Sequence, residues 1–407
     1  MGGLRSLASR GLWNTIVLAG ARFGRPGSPA PSSPESQSAV PQPQGKAILV
    51  IDAMTPDATR DSGSLRLMEI LRILRTQGFL VFFMPDGGHP TPAGIGALAA
   101  IGVQPVGIGG QPDLPTWLAR NAANLVGAML CRHYVAAHHI DLIRHFAPSA
   151  IVVLDTVDLH FLREHRSAEL SGDRKALAAA ERTRRSELQL AMAADATFVV
   201  SEPERCLLDR LLPGKPVHVL SNIHHLKPAC PGPGGRSGML FVGGFGHPPN
   251  RDAVLWLVED ILPRIREQIP DMELHLVGDI PDEEAVALRK PGVIVHGRIE
   301  DLGPLMARAR MAVAPLRVGA GVKGKVNSAM SYGLPVIATS IAAEGMYIRD
   351  GEEALVADTA DDFAGAAIRL NSDDATWRRL SQGGRENIRR HFSAESAEAT
   401  LNRVFRP

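Results

Sequence analysis

Cysteine is scarce in this chain of 407 residues: Cys131, Cys206 and Cys230 are all it has, and they stand far apart with no CxxC or other metal-binding spacing. That excludes a disulfide framework and a cysteine-based metal centre, and it points to a reducing compartment. Net charge is equally low, +1 with 21% charged residues, which argues against bulk nucleic-acid binding and leaves basic side chains to act locally. No apolar run reaches the roughly eighteen residues that a membrane-spanning helix needs. A cytoplasmic location is therefore expected.

At 407 residues the chain is too long for one typical core and suits two domains preceded by a tail. The tail, residues 1–45, is compositionally separate. It carries Arg5, Arg10, Arg22 and Arg25 and no acid up to that point, interleaved with Leu4, Leu7, Leu12, Trp13, Ile16, Val17 and Leu18. A basic amphipathic helix on the anionic inner face of a membrane fits this pattern, and a poorly ordered leader fits it as well. Asn14 and Thr15 interrupt the apolar stretch and speak against a signal peptide. Pro26 to Gln44 is a linker by composition.

From Lys46 onward, apolar runs alternate with amphipathic stretches. Lys46–Asp52, Phe79–Met84, Gly102–Ile108 and Ala150–Leu154 read as strands, followed by one long helix over Leu170–Ala194 and strands at Ala196–Ser201 and Val217–Leu220. Such alternation requires a parallel sheet with crossover helices, here over residues 46–225. Ser221–Ser237, dense in Pro and Gly, is a hinge. The alternation restarts at Met239–Val242 and runs through Glu273–Val277, Val293–Val295, Met311–Pro315, Val336–Thr339 and Ala354–Val356, a second Rossmann-like unit over 238–390. The fold class is α/β, with two doubly wound parallel sheets.

Ligands of such sheets bind at the carboxyl ends of the strands. The loop Pro56–Arg66 after the first strand offers Asp61, Ser62 and Gly63, either to a ligand's phosphates or as a helix N-cap. After the fourth predicted strand, Leu154–His165 gathers Asp155, Asp158 and His160. These three make a poor zinc set, because they are too local and a third, spaced ligand is missing. No metal is expected.

The chain is organised around Val318–Thr339. Gly319, Gly321 and Gly324 surround Lys323, and the spacing of Val322, Val326, Ala329 and Met330 predicts a helix that Gly333 and Pro335 end before the next strand. A helix N-terminus under a glycine loop, with Lys323 and Lys325 beside it, is a site for an anion, most plausibly a diphosphate. The same glycines match a dinucleotide fingerprint, with Glu344 about twenty residues further on, which would make the chain an NAD(P)-dependent oxidoreductase. Against that, the motif lies late in the chain, a lysine sits inside the loop, and Glu344 lies past the strand end beside Gly345. A purely structural glycine turn is the third possibility.

The glycine loop, the lysine pair, the AMSYG helix end, PVIAT and AAEGM together resemble the donor-site block of glycosyltransferase family 4, and the resemblance spans roughly residues 46–405. It implies a GT-B architecture, with an acceptor-side domain at 46–225, a nucleotide-sugar domain at 238–390 and a final helix, 391–407, crossing back to the first. It further implies sugar transfer from a nucleotide-sugar donor to a glycan or glycolipid acceptor with retention, without metal or other cofactor, in bacterial-type polysaccharide or cell-envelope synthesis. His160 would contact the transferred sugar, with Asp155 second, and Lys323 would act on the leaving diphosphate. Ser62, Gly63, Gly244, Arg251, Gly321, Val322, Lys323, Gly324, Lys325, Ser328 and Glu344 would form the donor site. Gly278-Asp279 and His296-Gly297-Arg298 would border the base. One departure stands out: Ala320 and Ser328 occupy positions where the family places glutamates, leaving Asn327 and Ser328 as neutral substitutes. A catalytically silent nucleotide-sugar-binding protein is the alternative that this departure raises.

Overall fold

The computed structural model describes residues 45–57, 62–87, 90–108, 110–228, 232–319 and 321–406. The tail and linker, Asp61, Cys230 and Ala320 lie outside the described residues. Two parallel sheets organise the rest. The first has seven strands in the order β3-β2-β1-β4-β5-β6-β7: β1 Ala47–Asp52, β2 Leu80–Pro85, β3 Gln104–Pro105, β4 Leu125–Cys131, β5 Ile151–Asp155, β6 Ala196–Val199 and β7 Val217–Val219. The second has six in the order β10-β9-β8-β11-β12-β13: β8 Ser237–Val242, β9 Leu274–Val277, β10 Val293–Gly297, β11 Ala309–Ala314, β12 Val336–Ala338 and β13 Leu355–Val356. Each order reverses beside its first strand, between β1 and β4 and between β8 and β11. Those are the switch points where doubly wound sheets open a crevice.

Every residue of β1 is buried because helices cover both sheet faces. Leu49 and Ile51 point into a core with Leu118 and Ile143, while Ile48 and Val50 point the other way onto Leu67 and Leu71 of the helix Ser62–Thr76. That second core also takes Ala397, Leu401, Val404 and Phe405 from the helix Ala394–Val404. Phe392, just before it, belongs to the core of the second sheet. The chain therefore passes from one sheet's core to the other's at Ser393, whose hydroxyl caps the last helix through Ser396 N at 3.3 Å.

Three local readings need correction. β4, in the middle of the first sheet, is not marked by the sequence, because Gly127, Ala128, Met129 and Leu130 carry no β-branching and sit where a helix is expected. β3 is two residues long, shorter than Gly102–Ile108. The long helix of Leu170–Ala194 is two helices, His160–Ser171 and Arg174–Ala193, because Gly172 turns left-handed at φ 67° and Asp173 caps the second helix.

Gly127 explains how the last helix docks on β4. A Cβ there would stand 2.6 Å from Cε1 of Phe405. Gly127→Ala is expected to lower stability by about 1–3 kcal/mol through overpacking, and Phe405→Leu to return part of that loss. Urea midpoints of the two single variants and the double variant check this. Unchanged stability in Gly127→Ala would show that the helix is not seated there.

Candidate active site

The loops at the carboxyl ends of the two sheets meet. Gly321 and Gly324, after β11, and Gly345, after β12, come close to the first lobe. A Cβ on Gly324 would lie 2.7 Å from Ser62 Cβ, and one on Gly345 would lie 2.6 Å from Ser201 Cβ. Gly321 faces Asp158 and Glu204 with a φ of 68°, where an L side chain is strained even though the space would admit one. The glycines of the central block thus serve lobe-to-lobe approach as well as the turn.

Arg166, on the helix His160–Ser171, holds this arrangement. Its guanidinium makes a two-pronged pair with Glu344, at 2.5 and 2.8 Å, and donates to the Gly319 carbonyl at 3.0 Å. That hydrogen-bonded pairing keeps the Glu344 carboxyl below its usual range. Asn222 Nδ2 donates to Asn327 Oδ1 at 3.4 Å farther along the seam.

Lys323 sits at the N-cap of the helix Gly324–Ser331. It is only 8% exposed, so it is a buried lysine and not one at an open mouth. Its Nζ donates to the Gly321 carbonyl at 2.5 Å. Burial lowers its pKa to about 8 against the opposing pull of Glu344. Lys325, one residue into the helix, donates to Asn250 Oδ1 at 2.5 Å and lies 4.4 Å from the centre of the Phe241 ring. Burial, and then Lys323, bring it down to about 7. Two ammonium groups therefore share the positive end of one helix dipole. Val322 and Gly324 are partly buried within the same turn.

The other predicted donor residues divide. Ser62 is exposed and Gly63 half-buried in the first turn of the helix Ser62–Thr76, directly opposite Gly324. Gly244 packs its backbone on Asp279, with 3.3 Å from a would-be Cβ to Asp279 N, and its carbonyl accepts from Asn250 Nδ2 at 2.9 Å. Gly278, at φ 146°, closes the same contact from the β9 side. His296 stacks on His275, with 2.9 Å between His275 Nδ1 and His296 Nε2.

Arg251 does not join the lysines: exposed, it pairs at 2.5 Å with Glu284, and the residue of its loop that reaches Lys325 is Asn250. Asn327 is fully buried against Asn222 and cannot replace a ribose-binding acid. Ser328 is half-buried on the same helix.

Asp155 also needs correction as a catalytic candidate. It is wholly buried, and both its oxygens accept from Arg66, at 2.7 and 3.0 Å. Arg66 in turn donates to the Leu220 and Ser221 carbonyls. Asp155 is thus committed to a buried ion pair that ties β5 to the helix after β1. An arginine inside the apolar stripe Leu65–Leu71 was the available signal, since such a charge needs a buried counter-ion.

His160 is 6% exposed and begins the helix His160–Ser171. Glu187, on the next helix, takes the backbone N–H groups of His160 and Phe161 at 3.1 and 2.9 Å. Burial lowers the His160 pKa, so the imidazole is neutral at pH 7. Its Nδ1 lies 3.1 Å from the Asp158 carbonyl oxygen. Glu204, at the start of the helix after β6, is buried and raised by that burial to about 7. Sequence reasoning passed over Arg166, Glu187, Glu204 and Asn250, each of which looks like an ordinary helical polar residue.

Residues 236–373 match the family model described as Glycosyl transferases group 1. The phosphatidyl-myo-inositol mannosyltransferase of Mycobacterium leprae is 30% identical over 161 residues, 38% of this chain and 42% of that one. The chain spans less than half the length of the curated relatives it matches. Among solved structures, sucrose-phosphate synthase from Thermosynechococcus elongatus superposes with a TM-score of 0.66 at 18% identity, covering 89% of this chain and 98% of that one. HepE from Anabaena, in complex with UDP and glucose, gives 0.63 at 14% identity, covering 88% and 98%. The two parallel sheets have the GT-B arrangement of these glycosyltransferase structures, and residues 236–373 are similar to the group 1 glycosyl transferases.

Proposed function

We propose that the chain transfers a sugar from a nucleotide-sugar to a glycan or glycolipid acceptor in the crevice between its sheets, in polysaccharide or cell-envelope glycan synthesis. Residues 238–390 would hold the donor and residues 46–225 the acceptor. The observation that carries the reading is the pair of lysines, Lys323 buried and Lys325 half-buried, at the amino end of the helix Gly324–Ser331. Burial disfavours the charged form of both lysines, and a bound anion would favour it.

The chemistry follows from that placement. As the bond from sugar to diphosphate breaks, negative charge grows on the leaving oxygens. Preorganised donors stabilise such charge most where water is excluded. Lys323, Lys325 and the first N–H groups of the helix Gly324–Ser331 are those donors, and no divalent cation is required by the scheme. The neutral imidazole of His160 would hydrogen-bond a sugar hydroxyl. Glu344, paired with Arg166, would sit beside the donor loop. Retention of anomeric configuration is part of the proposal and rests on the family likeness.

An oxidoreductase reading has lost its second support, because Glu344 is held by Arg166. A silent sugar-nucleotide-binding protein would bind UDP yet show neither transfer nor slow donor hydrolysis. Among the described residues no helix is long and apolar enough to cross a membrane. We place the reaction at the cytoplasmic side, with the basic tail available for peripheral contact with the membrane.

Lys323→Met keeps the buried stem and removes the charge. It is expected to lower kcat/KM with the active donor by about 2–4 kcal/mol of transition-state stabilisation, roughly 30- to 1,000-fold, while Tm stays within a few degrees. Donors are first found by thermal shift with UDP-, GDP-, ADP-, CMP- and dTDP-sugars. A stable variant retaining most of its activity would overturn the diphosphate assignment.

Binding should also take up protons. Both lysines have folded pKa values below the ordinary lysine value of 10.5, so between about pH 7 and 10.5 the native state holds fewer protons than the unfolded one. Their contribution to stability therefore rises with pH across that window. A bound diphosphate reverses this by favouring the charged lysines, so UDP binding at pH 8 should absorb about one proton. Calorimetric heats in Tris and in HEPES should differ accordingly. Identical heats would show that the lysines do not meet the diphosphate.

A further inference from the structure

The three residues His133, His160 and Glu187 come from separate helices and meet beside the crevice. Their ligand-capable atoms all lie within 4.8 Å of one another. Glu187 Oε1 is 3.6 Å from His133 Nδ1 and 3.6 Å from His160 Nδ1. Both separations are too long for good hydrogen bonds. They match the spacing of neighbouring ligands around a small tetrahedral cation, which holds nitrogen and oxygen at about 2.0–2.2 Å and so sets them roughly 3.3–3.6 Å apart.

Three further features make this a built site. His133 Nδ1 is buried and has no hydrogen-bond partner among the described residues. Glu187 is 2% exposed, and its carboxylate is held in place by the N–H groups of His160 and Phe161. Asp158, outside that group of three, adds a carboxylate beside it, its Oδ1 standing 3.4 Å from His160 Nδ1. The spaced ligands that the run Asp155–His160 lacks in sequence are supplied by His133, at the start of the helix after β4, and by Glu187, on the helix Arg174–Ala193.

We propose that His133 Nδ1, His160 Nδ1 and Glu187 Oε1, with the fourth position open to water, bind one divalent cation of the zinc class. Imidazole with carboxylate is a donor set suited to Zn2+, and a buried carboxylate lying between two imidazoles gains from a cation. Coordination at Nδ1 leaves the proton of His160 on Nε2, which fixes the tautomer that ring offers to any other partner. The proposal is independent of the transfer reaction and needs no sugar donor to test.

In the ion's absence, His160 Nδ1 can instead donate to the Asp158 carbonyl. A second group, Asp86 with His138 and His139, lies at the surface and competes for added metal. The experiment uses full-length protein stripped with chelator and dialysed against buffered Zn2+, with Co2+ as a spectroscopic substitute. Wild type should retain one high-affinity Zn2+ per chain and show the intense visible bands of four-coordinate Co2+. His133→Ala and Glu187→Gln should each weaken binding at least tenfold, and the double variant His138→Ala/His139→Ala should leave it unchanged. Should Glu187→Gln fail to fold, because its carboxylate also caps the helix His160–Ser171, His133→Ala and His133→Asn still decide. No retained zinc, equal affinity in the His133 variants, or loss only in the His138/His139 variant would overturn the proposal.

Discussion

Two lysine side chains, Lys323 buried and Lys325 half-buried, at the positive end of one helix set the terms for the rest of this structure. Burial opposes the charged form of each, and the proximity of Lys323 further opposes that of Lys325. The helix dipole has the same sign. Carbonyl and amide oxygens, of Gly321 and Asn250, take the two Nζ groups while carrying no full charge. Burial makes the charged arrangement costly, and a compact polyanion between the lysines, such as the proposed diphosphate, would offset that cost.

The contacts around this centre keep it closed. Arg166 spans the lobes to Glu344 and to the Gly319 carbonyl of the glycine loop. The glycines at 321, 324 and 345 let the loops of the second sheet approach the first within distances no side chain would allow at 324 and 345. Farther from the crevice, the last helix ties the two sheets together, with Phe392 in one core and Phe405 in the other. Preorganised donors stabilise charge best when water is excluded, so closure and the lysine pair serve the same end.

Much of this was legible in the sequence. Val318–Thr339 combines glycines at fixed spacing, a helical stripe, a Gly-x-Pro stop and a strand, and the structure forms the turn, the helix Gly324–Ser331 and β12 over that stretch, after β11. What stayed hidden depends on partners distant in sequence. Asp155 reads as a crevice carboxylate until Arg66 is seen to occupy both its oxygens. Arg251 is the expected base of its loop, yet it turns to Glu284 and leaves Asn250 to reach Lys325. Glu187 and Arg166 sit on helices dense in charged residues, where one buried or bridging member has no local mark. β4 escaped because small residues hold its centre, and the reason, the Phe405 ring over Gly127, lies 278 residues away along the chain.

The account stands on where the diphosphate goes. A crystal structure of the protein with UDP places that most directly. Lys323 and Lys325 should leave the Gly321 carbonyl and Asn250 and stand about 2.7–2.9 Å from phosphate oxygens, above the first turn of the helix Gly324–Ser331. A nucleotide bound elsewhere, with both lysines still on their present partners, would contradict it.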